Sequence, residues 1–163
     1  MGTPVVIDTN VLVSGLKWSG TPAKIIRLVL EGLLTPVTCH EQLEELRRVL
    51  AYGRLHITEE EQTEYRQIME ATATVIPVTR QVTVVKEDPS DNIILELAII
   101  GNAACIISGD RHLLKQVSFG GVPILTPAQF IAGWEAGTFL KINYAGFSRH
   151  FFGRVYIVEQ FNC

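Results

Sequence analysis

Four acidic residues, Asp8, Glu45, Asp91 and Asp110, stand where a carboxylate could do chemistry. Asp8 and Asp110 each follow a short apolar run, and Asp91 comes at the start of a helical segment. Several acids at the strand ends and helix starts of one parallel sheet would repel one another unless cations were bound between them. Mg²⁺ and Mn²⁺ prefer such oxygen ligands, and two ions about 4 Å apart can activate a water for attack on a phosphodiester. The pattern therefore favours metal-dependent hydrolysis, which needs no protein nucleophile.

Asp8 is the first of these candidates because it ends an apolar, β-branched run that begins at Pro4. An isolated buried carboxylate is unfavourable by several kcal/mol unless it is paired or bound to a metal. Ligands of open α/β sheets bind at the carboxyl ends of the strands, where we expect both Asp8 and Asp110. The alternative is that Asp8 only caps the next helix or binds loop amides.

Glu45 differs from two neighbouring glutamates in its position on the predicted helix of residues 40–52. One face of this helix is an apolar stripe: Leu43, Leu46, Val49 and Leu50. With a turn of about 100° per residue, Glu41 and Glu44 point nearly opposite the stripe, whereas Glu45 lies along its margin. A carboxylate there can reach a cleft between helix and sheet, and an ordinary exposed glutamate is an equal alternative.

The other acids have structural alternatives of their own. In the segment DPSD, Asp88 and Asp91 can satisfy the free amides at a helix start and complement the helix dipole. Asp110, in SGD, also opens a helical segment, so a cap is the default interpretation for it in isolation. The metal site is favoured by the combination of these acids and not by any one of them.

The elements that must position these acids alternate along the chain. Five short runs are predicted to be strands: residues 4–8, 33–39, 75–78, 104–108 and 122–125. Six segments are predicted to be helical: residues 21–32, 40–52, 58–70, 88–102, 109–117 and 126–134. Since parallel neighbours need crossover connections, this order predicts an α/β fold, a three-layer α/β/α sandwich with a mostly parallel central sheet.

The composition is that of a globular chain, with 163 residues, 47% hydrophobic residues and a mean hydropathy of +0.24. No stretch reaches the roughly 18 apolar residues of a membrane span, and the N-terminus lacks the basic region of a secretory signal. We therefore expect a cytoplasmic protein that does not enter a membrane. The net charge of −3 argues mildly against a general nucleic-acid binder, although acidic metal ligands contribute to that charge. The three cysteines have no CxxC spacing, so neither a disulfide framework nor a zinc site is predicted.

One domain is expected over residues 1–132, followed by a C-terminal extension over residues 133–163. From Gly137 onward the extension is rich in aromatic residues and carries three basic residues against one acid. This atypical tail interrupts the alternation of strands and helices. It could be a hairpin that extends a sheet edge, an arm that binds a partner, or a segment unrelated to the catalytic fold.

The segments VVIDTNVLVSG, EELRRVL, DPSDNIILELA and CIISGDRHLL, in that order, resemble the PIN-domain family over residues 4–132. Within the family, the chain most resembles the prokaryotic toxins of toxin–antitoxin pairs. The resemblance implies a catalytic site of four metal-binding carboxylates: Asp8, Glu45, Asp91 and Asp110. It also implies three supporting residues that form hydrogen bonds: Thr9, Asn10 and Ser108.

The resemblance implies that the protein is a metal-dependent endoribonuclease, which uses Mg²⁺ or Mn²⁺ and has RNA as its substrate. It further implies a small antitoxin protein as partner and assembly as a homodimer. Cys105 is a departure, because relatives often carry an acidic residue there. A catalytically degenerate PIN domain that binds RNA or a protein is the alternative function. An aspartyl-phosphate enzyme is a weaker one, since Asn10 stands where its second aspartate would be.

Basic residues near the acids have two interpretations. The residues concerned are Arg47, Arg54, Arg111 and Lys115. They could line a path for RNA phosphates, or each could be an ordinary solvated side chain. The four histidines have no common ligand spacing, so we expect them to form local hydrogen bonds or to lie at the surface.

Overall fold

The computed structural model describes residues 2–85 and 89–138. Asp88, which the sequence predicts as a helix cap, lies outside the described residues, as do residues 139–163 of the C-terminal extension. None of the helices in the described part of the chain combines the length and the apolar character that crossing a membrane requires.

A sheet of six strands forms the centre of the molecule. The strands are β1 Thr3–Ile7, β2 Leu34–Thr38, β3 Thr74–Val75, β4 Ile106–Ile107, β5 Ser118–Phe119 and β6 Val122–Leu125. Their spatial order is β3-β2-β1-β4-β6-β5, and every neighbouring pair is parallel except β5 with β6. β1 and β4 are therefore neighbours at the centre, and the residues that follow them emerge at the same edge of the sheet.

Helices cover both faces of this sheet. They are α1 Thr9–Lys17, α2 Thr21–Leu30, α3 His40–Leu50, α4 Glu59–Thr72, α5 Pro89–Ile100, α6 Arg111–Leu114 and α7 Pro127–Glu135, with a one-turn 3₁₀ helix at Gly53–Leu55. One core cluster joins the sheet to α1–α4 and α7, and a second joins it to α5 and α6. The predicted three-layer α/β/α sandwich is confirmed.

The two cores meet at β1, whose side chains alternate between them. Val5 and Ile7 pack in the first cluster and Val6 packs in the second, because successive residues of a strand point to opposite faces. A strand buried on both faces explains why the sequence PVVI is apolar without interruption. Asp8 follows directly on this strand, so the backbone that carries it is held from both sides.

Local signals in the sequence account for several helix ends. Thr58 and Glu61 form the predicted capping box at the start of α4. α2 ends before Gly32, whose φ of 72° is the left-handed conformation that favours glycine after a helix. On α3, Leu46 and Leu50 are buried in the first core cluster, as the apolar stripe predicts.

The structure differs from the predicted elements in several places, and β4 and α6 are both shorter than predicted. α1 begins immediately after Asp8, where the sequence indicated only an apolar stretch. β5 is a two-residue strand that was not predicted, and it pairs antiparallel with β6 at the sheet edge. β3 is limited to Thr74–Val75 and does not extend to residue 78.

Candidate active site

Asp8 lies at the carboxyl end of β1 and is only 9% exposed. Its backbone amide donates to the carbonyl oxygen of Ile107 at 2.9 Å, which continues the pairing of β1 with β4. Asp8 is the N-cap residue of α1, but its side chain makes no capping hydrogen bond. Its Oδ2 instead accepts a hydrogen bond from Ser108 Oγ at 2.7 Å. The carboxylate is thus directed to the neighbouring strand, and the backbone amide of Asn10 in the first turn of α1 also favours its ionised form.

Ser108 connects Asp8 to Asp110. It follows β4, is fully buried, and its amide donates to the carbonyl of Leu125 at 2.9 Å. While its hydroxyl donates to Asp8, the same oxygen accepts from the amide of Asp110 at 2.9 Å. A single hydroxyl therefore sets the position of the Asp8 carboxylate relative to the loop that carries Asp110.

Thr9 connects the Asp8 segment to Glu45. Thr9 is the first residue of α1 and is buried, and its Oγ1 donates to Glu45 Oε2 at 2.7 Å. Glu45 is partly exposed on α3, whereas Glu44 is exposed and forms a salt bridge with Arg47 at 3.0 Å. Of these two glutamates, the structure directs Glu45 toward the end of β1.

Asp110 and Asn10 occupy different surroundings. Asp110 is partly buried and caps α6, since its Oδ1 accepts from the amide of His112 at 2.6 Å. The cap interpretation of Asp110 is thus confirmed, and its second carboxylate oxygen is not used by that hydrogen bond. Asn10 is an exposed residue of α1.

The electrostatics of Asp8 reflect a concentration of negative charge. Burial raises the pKa of Asp8, and repulsion from Glu45 and Asp110 raises it further. The Ser108 hydroxyl and the backbone amide of Asn10 act in the opposite direction, but the net pKa is above the ordinary value of a carboxyl group. A cation bound beside Asp8 would relieve both the desolvation and the repulsion.

Asp91 belongs to the layer of helices on the opposite face of the sheet from α1 and α3. It lies in the first turn of α5 and is 7% exposed. α5 packs against β1, β2 and β4, the strands whose carboxyl ends carry or adjoin the other acids. Asp91 is therefore a buried acid at the N-terminus of a helix that covers the centre of the sheet.

The donor set fits a hard divalent cation, because it consists of carboxylate oxygens. Among residues 2–85 and 89–138, no three side chains of His, Cys, Asp or Glu are already grouped as ligands around one position. Mg²⁺ does not require such a group, since it usually takes one or two carboxylates and completes its shell with water and phosphate oxygens. The pairing of buried Asp8 with the charges of Glu45 and Asp110 is compatible with this kind of binding.

One polar residue that adjoins the site was not singled out from the sequence. Gln42 on α3 is 4% exposed and binds both the carbonyl of Ile7 and the hydroxyl of Thr38. The signal that could have found it is its spacing, because Gln42, Leu46 and Leu50 recur every four residues on the buried face of the helix. A polar residue on such a face needs a partner, and here the partner is the end of β1.

A second buried polar residue holds a loop and lies outside the four acids. Glu96 on α5 is 3% exposed, and its carboxylate accepts hydrogen bonds from the amides of Thr79, Arg80 and Gln81 and from the Thr79 hydroxyl. Burial raises its pKa, but the hydrogen bonds outweigh burial and the net pKa is lowered. Glu96 is therefore ionised and fixes the chain that follows β3.

The basic residues singled out from the sequence occupy different surroundings. Arg54 lies over the ring of Tyr52, with its guanidinium carbon 5.5 Å from the ring centroid. Arg111 and Lys115 are exposed, and Arg111 directly follows Asp110 at the start of α6. Arg111 is thus the basic residue that the chain places next to one of the four acids.

Cys105 lies in the apolar core. It is fully buried in the first core cluster, where burial raises the pKa of its thiol far above the ordinary value. The side chain is therefore a neutral part of the packing beneath β4.

Two comparisons bear on what this arrangement is. A family model described as PIN domain matches residues 4–112, a range that covers more than half of the chain and contains all four acids. No curated protein matches the chain.

Proposed function

This chain belongs to the PIN-domain family, whose members are generally nucleases, and from that membership we propose that it is a metal-dependent endoribonuclease that hydrolyses RNA phosphodiester bonds. The observation that supports this proposal most is the buried Asp8, whose pKa is raised by burial and by the nearby charges of Glu45 and Asp110. Such an arrangement is unfavourable for folding unless a cation or substrate group uses it.

In this proposal the cations are held by the four acids: Asp8, Glu45, Asp91 and Asp110. When bound, Mg²⁺ or Mn²⁺ supplies an activated water and neutralises charge that develops on the phosphate. The residues of the chain orient the carboxylates that would bind the cation. Ser108 and Thr9 hold two of the carboxylates in place through hydrogen bonds of 2.7 Å. Because their hydroxyls are fixed by the fold, the carboxylates need little reorganisation to receive a cation.

Protons compete with cations for this site. The raised pKa of Asp8 means that the metal-free site holds a proton at a higher pH than an ordinary carboxyl group would. Binding of a cation requires the ionised carboxylate, so it favours loss of that proton and becomes weaker as the pH falls.

The test is cleavage of a single-stranded RNA oligonucleotide by the purified full chain with Mn²⁺ or Mg²⁺. Asp8→Asn and Glu45→Gln should each reduce cleavage by at least about 100-fold, as the loss of a residue essential to a catalytic unit does. Glu44→Gln is the matched control, because it removes one charge from the exposed side of the same helix. Equal cleavage by the wild type and Asp8→Asn would contradict the proposal. Tight binding of RNA without cleavage would instead indicate a catalytically degenerate PIN domain that serves as a binding module.

We further propose that the chain is the toxin of a toxin–antitoxin pair and acts in the cytoplasm as a homodimer that a small antitoxin restrains. The support is the order of the four sequence motifs that resemble the toxin branch. Induced expression of the wild type in a bacterial host should stop growth, and expression of Asp8→Asn at the same level should not. Undisturbed growth with active, RNA-cleaving protein would contradict the toxin role while leaving the nuclease proposal intact.

A further inference from the structure

Gln42 makes two buried hydrogen bonds that use both ends of its side-chain amide. Its Nε2 donates to the carbonyl oxygen of Ile7 at 2.7 Å, and its Oε1 accepts from Thr38 Oγ1 at 2.7 Å. Thr38 is the last residue of β2, and Ile7 is the last residue of β1. An amide is suited to this position because it is a donor and an acceptor at once. Gln42 therefore ties α3 to the carboxyl ends of two adjacent strands.

The peptide group that Gln42 contacts is the one that joins Ile7 to Asp8. The oxygen of this peptide accepts from Gln42, and its amide hydrogen is donated to Ile107 on β4 at 2.9 Å. The peptide plane immediately before Asp8 is thus held from α3 on one side and from β4 on the other. Since the backbone cannot turn at this peptide, the direction of the Asp8 side chain is fixed more tightly than the strand alone would fix it.

Gln42 also lies three residues before Glu45 on the same helix. Residues three apart on a helix are neighbours on its surface. The bond from Gln42 to Ile7 and the bond from Thr9 to Glu45 therefore join the same two segments, α3 and the junction of β1 with α1, on either side of Asp8. Together these bonds set the separation of the Asp8 and Glu45 carboxylates.

We infer that Gln42 is a positioning residue for the carboxylate site, which it serves by holding α3 in register with the peptide before Asp8. This inference rests on the proposed function, because it assigns Gln42 a role toward the cation that Asp8 and Glu45 would bind. Because Gln42 is buried and both ends of its amide are already bonded, its effect would pass through the two carboxylates. Removing a hydrogen bond that orients metal ligands typically weakens metal affinity by about 10- to 100-fold.

The experiment measures Mn²⁺ binding to the full chain by the electron paramagnetic resonance signal of free Mn²⁺, together with thermal unfolding and RNA cleavage. Gln42→Met keeps the length of the side chain and removes its donor and its acceptor. We expect its Mn²⁺ affinity to fall about 10-fold, with cleavage recovering in part at saturating Mn²⁺. Leu50→Val is the matched control, since it loosens the buried face of the same helix away from β1 and should lower the unfolding temperature without changing Mn²⁺ affinity.

The outcomes separate a positioning role from a purely structural one. A Gln42→Met protein that unfolds at a lower temperature but binds Mn²⁺ like the wild type would overturn the inference. If Gln42→Met does not fold, Gln42→Asn gives the comparison, because it adds no charge and its shorter side chain cannot reach both Ile7 and Thr38 at hydrogen-bonding distance. A wild type that neither binds Mn²⁺ nor cleaves RNA would overturn the proposed function and this inference with it. Normal wild-type activity with an unaffected Gln42 variant would overturn the inference alone.

Discussion

Ser108 donates a hydrogen bond of 2.7 Å to the carboxylate of Asp8, although 100 residues separate them in the chain. The contact exists because β1 and β4 are parallel neighbours, so the residues after Ile7 and after Ile107 emerge side by side. It places a neutral donor next to a buried acid whose ionised form is disfavoured by burial. The hydrogen bond from Ser108 therefore favours the ionised form of Asp8.

Ser108→Ala removes this donor and should shift the pH dependence of metal binding. Because the Ser108 hydrogen bond lowers the pKa of Asp8, its loss raises that pKa further above the ordinary value. The acidic limb of the cleavage profile should then move to higher pH, and activity at neutral pH should fall about 10-fold. Cleavage rates of the wild type and Ser108→Ala measured across pH 5–9 in about 100 mM salt check this prediction. Identical acidic limbs would contradict it.

Thr9→Val and Thr9→Ser test the contact between Thr9 and Glu45. Valine has nearly the same shape as threonine but lacks the hydroxyl that donates to Glu45 Oε2. Without this bond Glu45 can adopt other rotamers, so we expect Mn²⁺ affinity to fall about 10-fold. Thr9→Ser keeps the donor and should bind Mn²⁺ within about threefold of the wild type. Calorimetric titration with Mn²⁺ makes the comparison, and equal affinities for the valine and serine variants would argue against this role of Thr9.

The metal-free protein should become more stable when the charge of Asp8 is removed. The folded pKa of Asp8 lies above its unfolded value, so the folded state binds the proton more tightly, and stability is lost as the pH rises through the folded pKa. In EDTA at pH 7, Asp8→Asn should raise the free energy of unfolding by about 1 kcal/mol. Replacing a residue that is unfavourable for folding but needed for function commonly increases stability by such an amount. The gain should shrink as the pH falls and Asp8 becomes protonated. Urea unfolding at several pH values measures it, and a loss of stability at pH 7 would contradict the electrostatic account.

Glu96→Gln should destabilise the fold over the same pH range in which Asp8→Asn stabilises it. The folded pKa of Glu96 is lowered, so its contribution is present above the unfolded pKa and is lost as the pH falls through the folded value. At pH 7 the substitution replaces charge-assisted hydrogen bonds with weaker neutral ones and adds a donor that faces the same amides. The expected loss is about 1–3 kcal/mol, and it should diminish in acid. Urea unfolding of both proteins at pH 7 and below pH 4 checks this, with exposed Glu44→Gln as the control.

Much of the fold was predictable because its signals are local. The run PVVI before Asp8 indicated a strand buried on both faces, and Thr58 with Glu61 indicated a helix start. α1 was not predicted, since its valines and Gly15 do not favour a helix in isolation. Packing against α2 imposes it, and Gly15 permits that packing because a Cβ there would lie 2.6 Å from the Pro22 carbonyl oxygen. β5 was missed because two residues at a sheet edge carry almost no periodic signal.

The places of the acids in the fold were predictable, and the contacts that orient them were not. Strand ends and helix starts indicated where Asp8, Asp91 and Asp110 would lie along the chain. The bonds from Thr9 to Glu45 and from Gln42 to Ile7 depend on how α3 packs beside β1, and the residues they join are 36 and 35 positions apart. The periodicity of a single helix or strand does not predict contacts between residues so far apart in the chain. These hydrogen bonds could therefore be identified only from the structure.

Arg111→Ala should weaken RNA binding without affecting the cation site. Arg111 is exposed and directly follows Asp110, so its guanidinium can neutralise a phosphate next to the carboxylates. In an Asp8→Asn background that prevents cleavage, we expect affinity for single-stranded RNA to fall severalfold and the slope of log affinity against log salt to decrease by about 0.7. Lys24→Ala is the matched control, since it also removes one positive charge but its partner is Glu135 on α7, 3.4 Å away. Fluorescence anisotropy between roughly 50 and 200 mM salt resolves the two slopes. Equal slopes for the two variants would place the RNA phosphates elsewhere on the surface.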